Sequence, residues 1–327
     1  MQNQNDEAIM LEYLLSRIEI LENNIKRLNN ISCVQNIVYH NPDYISDLKE
    51  KGYAVIPNVL SVDEINEAKQ LFFKWKNSIP DIDKMHSTID PHGIFKFHQA
   101  GHQEFAWYLR TRPQIIEIFK KIWNTEELIV SFDGSCYMPK EYSKRDNIWT
   151  HTDQAPNSKG LQCYQSFISL TTNSQKTLVV YENSHNIHEK YFTEKNIDSS
   201  KNWHLIAPSY LDKISHTKTI LKVNEGDLVL WDSRTFHQNQ YGIASLEERL
   251  VQYICYLPKS HPKNTITQQK KREKYLLEMR TTSHWPCPIS VNSLQPQTYG
   301  DKSKLIDYDC LIKPDLSKYT DIIQTLI

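Results

Sequence analysis

His151-Thr152-Asp153, read with Glu225-Gly226-Asp227-Leu228-Val229-Leu230-Trp231-Asp232-Ser233-Arg234-Thr235-Phe236-His237, decides the reading of this chain. On a strand, residues i and i+2 project from one face, so His151 and Asp153 can reach a single metal ion. Glu225-Gly226-Asp227 is a turn signal, and Leu228-Val229-Leu230-Trp231 after it reads as a buried strand leading to His237. His237 lies 84 residues beyond Asp153, so it comes from a distant strand. Two imidazoles and one carboxylate suit a non-haem iron that keeps open coordination positions. Arg249 follows His237 by 12 residues, room for a short loop and entry into the next strand. Its guanidinium can clamp a carboxylate bidentately.

Other pieces extend the pattern: Gly52-Tyr53-Ala54-Val55-Ile56-Pro57, Ser131-Phe132-Asp133-Gly134, Gln154 after the ligand pair, Asn183-Ser184-His185, and Arg280-Thr281-Thr282-Ser283-His284-Trp285-Pro286. Taken in order, from about Gly52 to about Pro286, the chain resembles the phytanoyl-CoA dioxygenase family of iron(II)/2-oxoglutarate-dependent oxygenases. The resemblance implies iron(II) on His151, Asp153 and His237, with Arg249 on the distal carboxylate of 2-oxoglutarate. Dioxygen is the third reactant, and a small molecule is hydroxylated with release of succinate and carbon dioxide. Related halogenases have Gly or Ala at the carboxylate position, so Asp153 argues for oxidation without halide. By the same resemblance Gln165 is a 2-oxoglutarate ligand, with Asn239 and Tyr137 as helpers. A core-lining amide for Gln165 and a buried core tyrosine for Tyr137 are the structural alternatives.

Composition agrees with a globular enzyme. The chain has 327 residues, 39% hydrophobic and 24% charged, enough for a sizeable core. A net charge of −1 advertises no nucleic-acid or membrane partner. The basic run Lys270-Lys271-Arg272-Glu273-Lys274 reads as a solvated helix face. No stretch approaches a membrane span, and no signal peptide is visible at residues 1–7. Six scattered cysteines without a Cys-x-x-Cys pair read as reduced thiols, pointing to the cytoplasm or another reducing compartment.

The expected fold class is α+β with a mainly β core, a double-stranded β-helix (jelly roll, cupin-like) with flanking helices. Residues 1–35 form an N-terminal unit, 45–290 the oxygenase domain and 291–327 a C-terminal extension packed on it. Leu11, Leu14, Ile18, Leu21, Ile25 and Leu28 make a heptad seam, so residues 8–30 read as an amphipathic helix suited to a coiled coil and a homo-oligomer. Ser61-Val62-Asp63-Glu64 is a capping box that opens a helix to about Lys76. Further helices are expected at Glu104 to Leu109, at Pro113 to Trp123, and after Thr267 to about Met279. Residues 78–100 read as irregular, and 186–217 as a candidate lid. Strands are expected at Leu128 to Phe132, Gln165 to Leu170, Thr177 to Tyr181, Asp227 to Trp231, and Arg249 to Leu257.

His98, His102 and Asp133 are candidates for the substrate pocket, with surface or satisfied core residues as the alternative. His185 and His188 read better as structural than as ligands. Two rivals stand beside the oxygenase. One is a non-catalytic jelly-roll binding protein acting through its N-terminal helix. The other is an enzyme using the same triad with a different metal, a cupin-type isomerase, which would have no use for Arg249.

Overall fold

The computed structural model describes residues 43–89, 92–142, 148–242 and 246–327. The helix expected at residues 8–30, and with it the coiled-coil seam, lies outside the described residues. Asp43 caps the first helix, α1 (Tyr44–Glu50), through the Ser46 N–H. β1 (Tyr53–Ile56) follows, then α2 (Val62–Lys76). The capping box of α2 is complete: the Glu64 N–H donates to Ser61 Oγ and the Ser61 N–H to Glu64 Oε2, at 3.3 and 2.9 Å. One helix was missed, α3 (Ile82–Ile89), within the stretch expected to be irregular. Buried Lys76 at the end of α2 pairs with Asp83 of α3 at 2.7 Å.

β2 (Ile94–Phe95), α4 (Glu104–Arg110) and α5 (Pro113–Trp123) come next, the last with proline in its first turn. Then come β3 (Leu128–Val130), β4 (Ser135–Met138), β5 (His151–Thr152), β6 (Tyr164–Ser169) and β7 (Leu178–Tyr181). The segment read as a lid begins in α6 (Ser184–Glu194) and continues through β8 (His204–Leu205) and α7 (Pro208–Lys213). β9 (Lys218–Ile220), β10 (Leu228–Asp232), β11 (His237–Asn239), β12 (Arg249–Tyr253) and β13 (Tyr256–Pro258) complete the strands. Two helices close the chain, α8 (Ile266–Leu277) and α9 (Thr320–Leu326).

The strands build two larger antiparallel sheets. One has six strands in the order β1-β10-β6-β12-β4-β2, the other five in the order β8-β5-β11-β7-β9. A short pair, β13-β3, adjoins them. The expected strand from Arg249 to Leu257 is broken at Ile254-Cys255, where β12 leaves the six-stranded sheet and β13 pairs with β3 instead.

Strand alternation sorts the six-stranded sheet into two faces. Ile168, Leu228, Leu230 and Leu250 meet Phe72, Phe105 and Phe119 of the helices in one core. Phe167, Val229, Trp231 and Val251 face Leu178 and Val180 of the five-stranded sheet in another. Gly226, at φ +87°, makes the turn that launches β10; its carbonyl accepts from the Val59 N–H at 2.8 Å. Tyr319, Ile323 and Leu326 from the C-terminal segment pack into the helix-side core. The basic run in α8 is not wholly a solvated face: Arg272 is buried, bonded to Asn264 Oδ1 and the Pro286 carbonyl at 2.5 and 2.9 Å. No described helix is long and apolar enough to cross a membrane.

Candidate metal centre

β5 and β11 are neighbours, and their register sets His237 directly opposite His151. Directly opposed residues of an antiparallel pair share a face, and here the two imidazole centroids are 4.4 Å apart. Asp153, two residues past His151, returns to the same face. Its Oδ2 lies 3.2 Å from His237 Nε2 and its Oδ1 3.8 Å from His151 Nε2. One ligand atom from each of the three lies within 4.8 Å of the others, and all three residues are buried. Among the described residues no other group of three His, Cys, Asp or Glu side chains meets this geometry.

Each imidazole is oriented by its own backbone. His151 Nδ1 is 3.1 Å from the Trp149 carbonyl and His237 Nδ1 is 2.9 Å from the Thr235 carbonyl. A carbonyl only accepts, so Nδ1 carries the proton in both rings and Nε2 keeps its lone pair for a metal. Burial pushes His151 down to about 3, with His237 adding to the effect, which keeps the ring neutral. Burial alone would raise Asp153, but the imidazoles of His284 and His151 and the contact with His237 outweigh it and hold the carboxylate ionised. Two buried imidazoles and one carboxylate, aimed at one point, fit a divalent metal ion.

Gln165 stands on the six-stranded sheet and reaches across to this centre. Its Nε2 donates to Asp153 Oδ2 at 2.8 Å, and its buried Oε1 has no partner among the described residues. Its hydrogen bond therefore goes to the candidate metal ligand. Asn239, two residues after His237, shares that face of β11 and accepts from Arg249 Nη1 at 2.8 Å. Arg249 is 1% exposed, which excludes a surface ion pair, and its Nη2 has no partner among the described residues. The guanidinium sits 5.2 Å from the Phe167 ring centre. Phe167, Trp231 and His237 continue inward with ring centroids 6.0 and 5.3 Å apart. A buried cation with one unsatisfied donor arm is the chemistry that accepts a carboxylate.

Other expected residues fall elsewhere. Tyr137 is a correction: strand alternation turns it to the helix side, where it packs on Phe72 and Phe73 and its hydroxyl donates to Glu248 at 2.8 Å. His102 and His98 are corrections too. His102 is fully buried against Phe132, with Nε2 3.1 Å from the Arg280 carbonyl, and burial pushes it down to about 3. His98 is buried, pushed down to about 4 chiefly by that burial, and does not line the cavity over the centre. His185 and His188 are structural, bonded to the Lys49 and Gln154 carbonyls at 3.0 and 3.2 Å. Asp133 does line that cavity; burial, opposed by Arg110, raises its carboxyl to about 7.

The sequence reading gave several lining residues no role, although Ser283, His284 and Trp285 fall in a stretch that carried the resemblance. Tyr253 accepts from Asn239 Nδ2 at 3.1 Å, and alternation from Arg249 would have put both on one face. Trp203, Ser283, His284 and Trp285 also line the cavity. They sit outside strands, where no periodicity points to a face.

No protein-family model matches the chain. It is similar to the Ava biosynthesis cluster protein O of Aspergillus versicolor, 28% identical over 275 residues, which span 76% of this chain and 89% of that protein. Among solved structures it resembles GlcNAc Inducible Gene 2 of Candida albicans at 14% identity, over 86% of this chain and 75% of that one, with a TM-score of 0.59. That likeness is one of fold. HygX of Streptomyces hygroscopicus, solved with nickel and 2-oxoglutarate bound, is 12% identical over 67% of this chain and 87% of its own, with a TM-score of 0.48.

The Gln165–Asp153 bond holds the carboxylate in place. Gln165→Leu is expected to weaken divalent metal binding by roughly 10–100-fold, the usual effect of removing such a support. Competition titration with iron(II) or cobalt(II) measures it. Unchanged affinity would show that Asp153 is positioned without Gln165.

Proposed function

We propose that the protein is an iron(II)/2-oxoglutarate-dependent dioxygenase that hydroxylates a small organic molecule, on a double-stranded β-helix core. The observation that carries this reading is one interior holding both a His-Asp-His cluster and a buried arginine with a free donor arm. In this reading His151, Asp153 and His237 hold the metal, and Arg249, steadied by Asn239, receives the distal carboxylate of 2-oxoglutarate. Gln165, through Oε1, is close enough in chain and face to assist. When bound, iron and 2-oxoglutarate supply the oxygen chemistry, converting dioxygen, 2-oxoglutarate and a C–H bond into an alcohol, succinate and carbon dioxide.

The chain's own part is to bind, orient and keep the site dry. Phe167 and Trp231 stand between the arginine and His237, and Trp231 and Tyr253 line the cavity, which limits water there. An isomerase using the same triad would leave Arg249 as a buried cation without an anion, at a cost in stability and no gain. The reading also includes self-association through residues 8–30. Six Leu or Ile side chains, each worth roughly 1.5–3 kcal/mol when buried, would otherwise leave a seam half wet. Light scattering of the full chain at micromolar concentration is expected to show a dimer or larger, and deletion of residues 1–30 a monomer. A full-length monomer contradicts that part of the proposal.

Anaerobic addition of iron(II) and 2-oxoglutarate should produce a visible metal-to-ligand charge-transfer band, absent in Asp153→Ala. Arg249→Ala removes a buried charge-assisted pair worth on the order of 2–5 kcal/mol. It should raise the 2-oxoglutarate concentration needed for the band by well over tenfold while leaving iron affinity nearly unchanged. No band in the wild type, or equal 2-oxoglutarate affinity in the variant, overturns the assignment.

A further inference from the structure

The cavity over the His-Asp-His cluster has a volume of about 550 Å³, and four indoles line it: Trp149, Trp203, Trp231 and Trp285. Trp203 differs from the rest. It is 45% exposed, and its backbone sits at φ +69°, the left-handed region that a bulky side chain enters only under strain. A half-exposed indole gains little burial to offset that strain. The conformation is held by the strand pairing that also carries the metal ligands. Next to Trp203, His204 pairs with Thr152, and the Trp203 N–H donates to the Asp153 carbonyl at 3.4 Å. Its ring stands 5.4 Å from the His151 ring, tilted by 35°.

A second part of the cavity wall is polar. Ser283 Oγ, His284 Nε2 and Trp285 Nε1 are shut from solvent and have no hydrogen-bond partner among the described residues, and Asp133 Oδ2 is in the same condition. Their loop is pinned. The Thr282 N–H donates to the Phe132 carbonyl at 2.9 Å, the Ser283 N–H to the Ser290 carbonyl at 2.8 Å, and the Asn292 N–H to the Thr281 carbonyl at 3.0 Å. Three consecutive side chains with unpartnered polar atoms on a fixed loop cost stability unless a ligand meets them.

We infer that this cavity selects a flat, conjugated ring bearing one or two polar functions, its face on Trp203 and its polar edge on Ser283, His284, Trp285 and Asp133. The inference rests on the oxygenase reading, since it names the class of molecule oxidised at that centre. Aromatic walls favour a flat π face. The four indoles and the apolar surface between them suit such a face better than the hydroxyl-covered faces of a hexose. Among the described residues that line the cavity, Lys96 is the one lysine or arginine, too little countercharge for a polyphosphate thioester.

The test uses the full-length protein and ligand-observed NMR. Indole-3-carboxamide and 2-quinolone are the conjugated probes; cyclohexanecarboxamide, methyl glucoside and coenzyme A are the controls. Saturable binding of at least one conjugated probe is expected, weaker by roughly tenfold or more in Trp203→Ala, the scale of a lost stacking partner. Trp203→Phe should keep most of the affinity, and Ser283→Ala should lose part of it. The inference is overturned if neither conjugated probe saturates, if Trp203→Ala binds them as well as wild type, or if a control binds as tightly. The anaerobic iron(II)/2-oxoglutarate band is recorded on the same samples. A band with failed probes sinks this inference alone, and Trp203-dependent binding without a band sinks the oxygenase reading alone.

Discussion

The antiparallel register that sets His237 opposite His151 is the constraint on which the rest depends. Side chains alternate along a strand, so a slip of one residue would turn His237 away from His151 and Asp153. The same register carries Asn239 to the face where it meets Arg249, since both lie an even number of residues from a site position. Gln165 then ties the two sheets together at this point, from the middle of the six-stranded sheet to Asp153 beside the five-stranded one. The centre is thus placed by backbone pairing, with side-chain bonds to backbone carbonyls fixing the ring orientations.

Burial makes this centre chemically selective and costly. Desolvation keeps His151 neutral, while neighbouring imidazoles and the Gln165 amide hold Asp153 ionised, which is the protonation state a divalent metal needs. The cost shows in unpartnered polar atoms: Arg249 Nη2, Gln165 Oε1, Asp133 Oδ2 and the wall from Ser283 to Trp285, all without partners among the described residues. A core built for stability alone would satisfy them or replace them with apolar groups. Gln165, Asp133 and that wall line one cavity, where the fold gives up stability for binding.

Much of this was legible in the sequence, for identifiable reasons. The β10 strand announced itself by a turn followed by an apolar run, and α2 by its capping box; both are local signals. His151, Asp153 and His237 could be grouped because strand alternation is simple and the residue types are chemically distinctive. Tyr137 went astray because a four-residue strand, Ser135–Met138, has two faces and nothing in its own sequence says which one meets the helices. His98 and His102 went astray because a histidine buried in the core and a binding histidine look alike until their surroundings are known. Arg272 was misread from its charged neighbours; its burial depends on the carbonyl of Pro286, fourteen residues on. Trp203 and the residues from Ser283 to Trp285 carry no periodic signal, and only tertiary contacts bring them to the cavity.

The central claim is that one metal ion and one 2-oxoglutarate share the interior defined by His151, Asp153, His237 and Arg249. Anomalous diffraction at the iron edge, from crystals grown anaerobically with iron(II) and 2-oxoglutarate, tests it most directly. The account predicts a single anomalous peak coordinated by His151 Nε2, His237 Nε2 and an Asp153 oxygen, with the distal carboxylate of 2-oxoglutarate on Arg249. A peak ligated elsewhere, or 2-oxoglutarate bound away from Arg249, would contradict it.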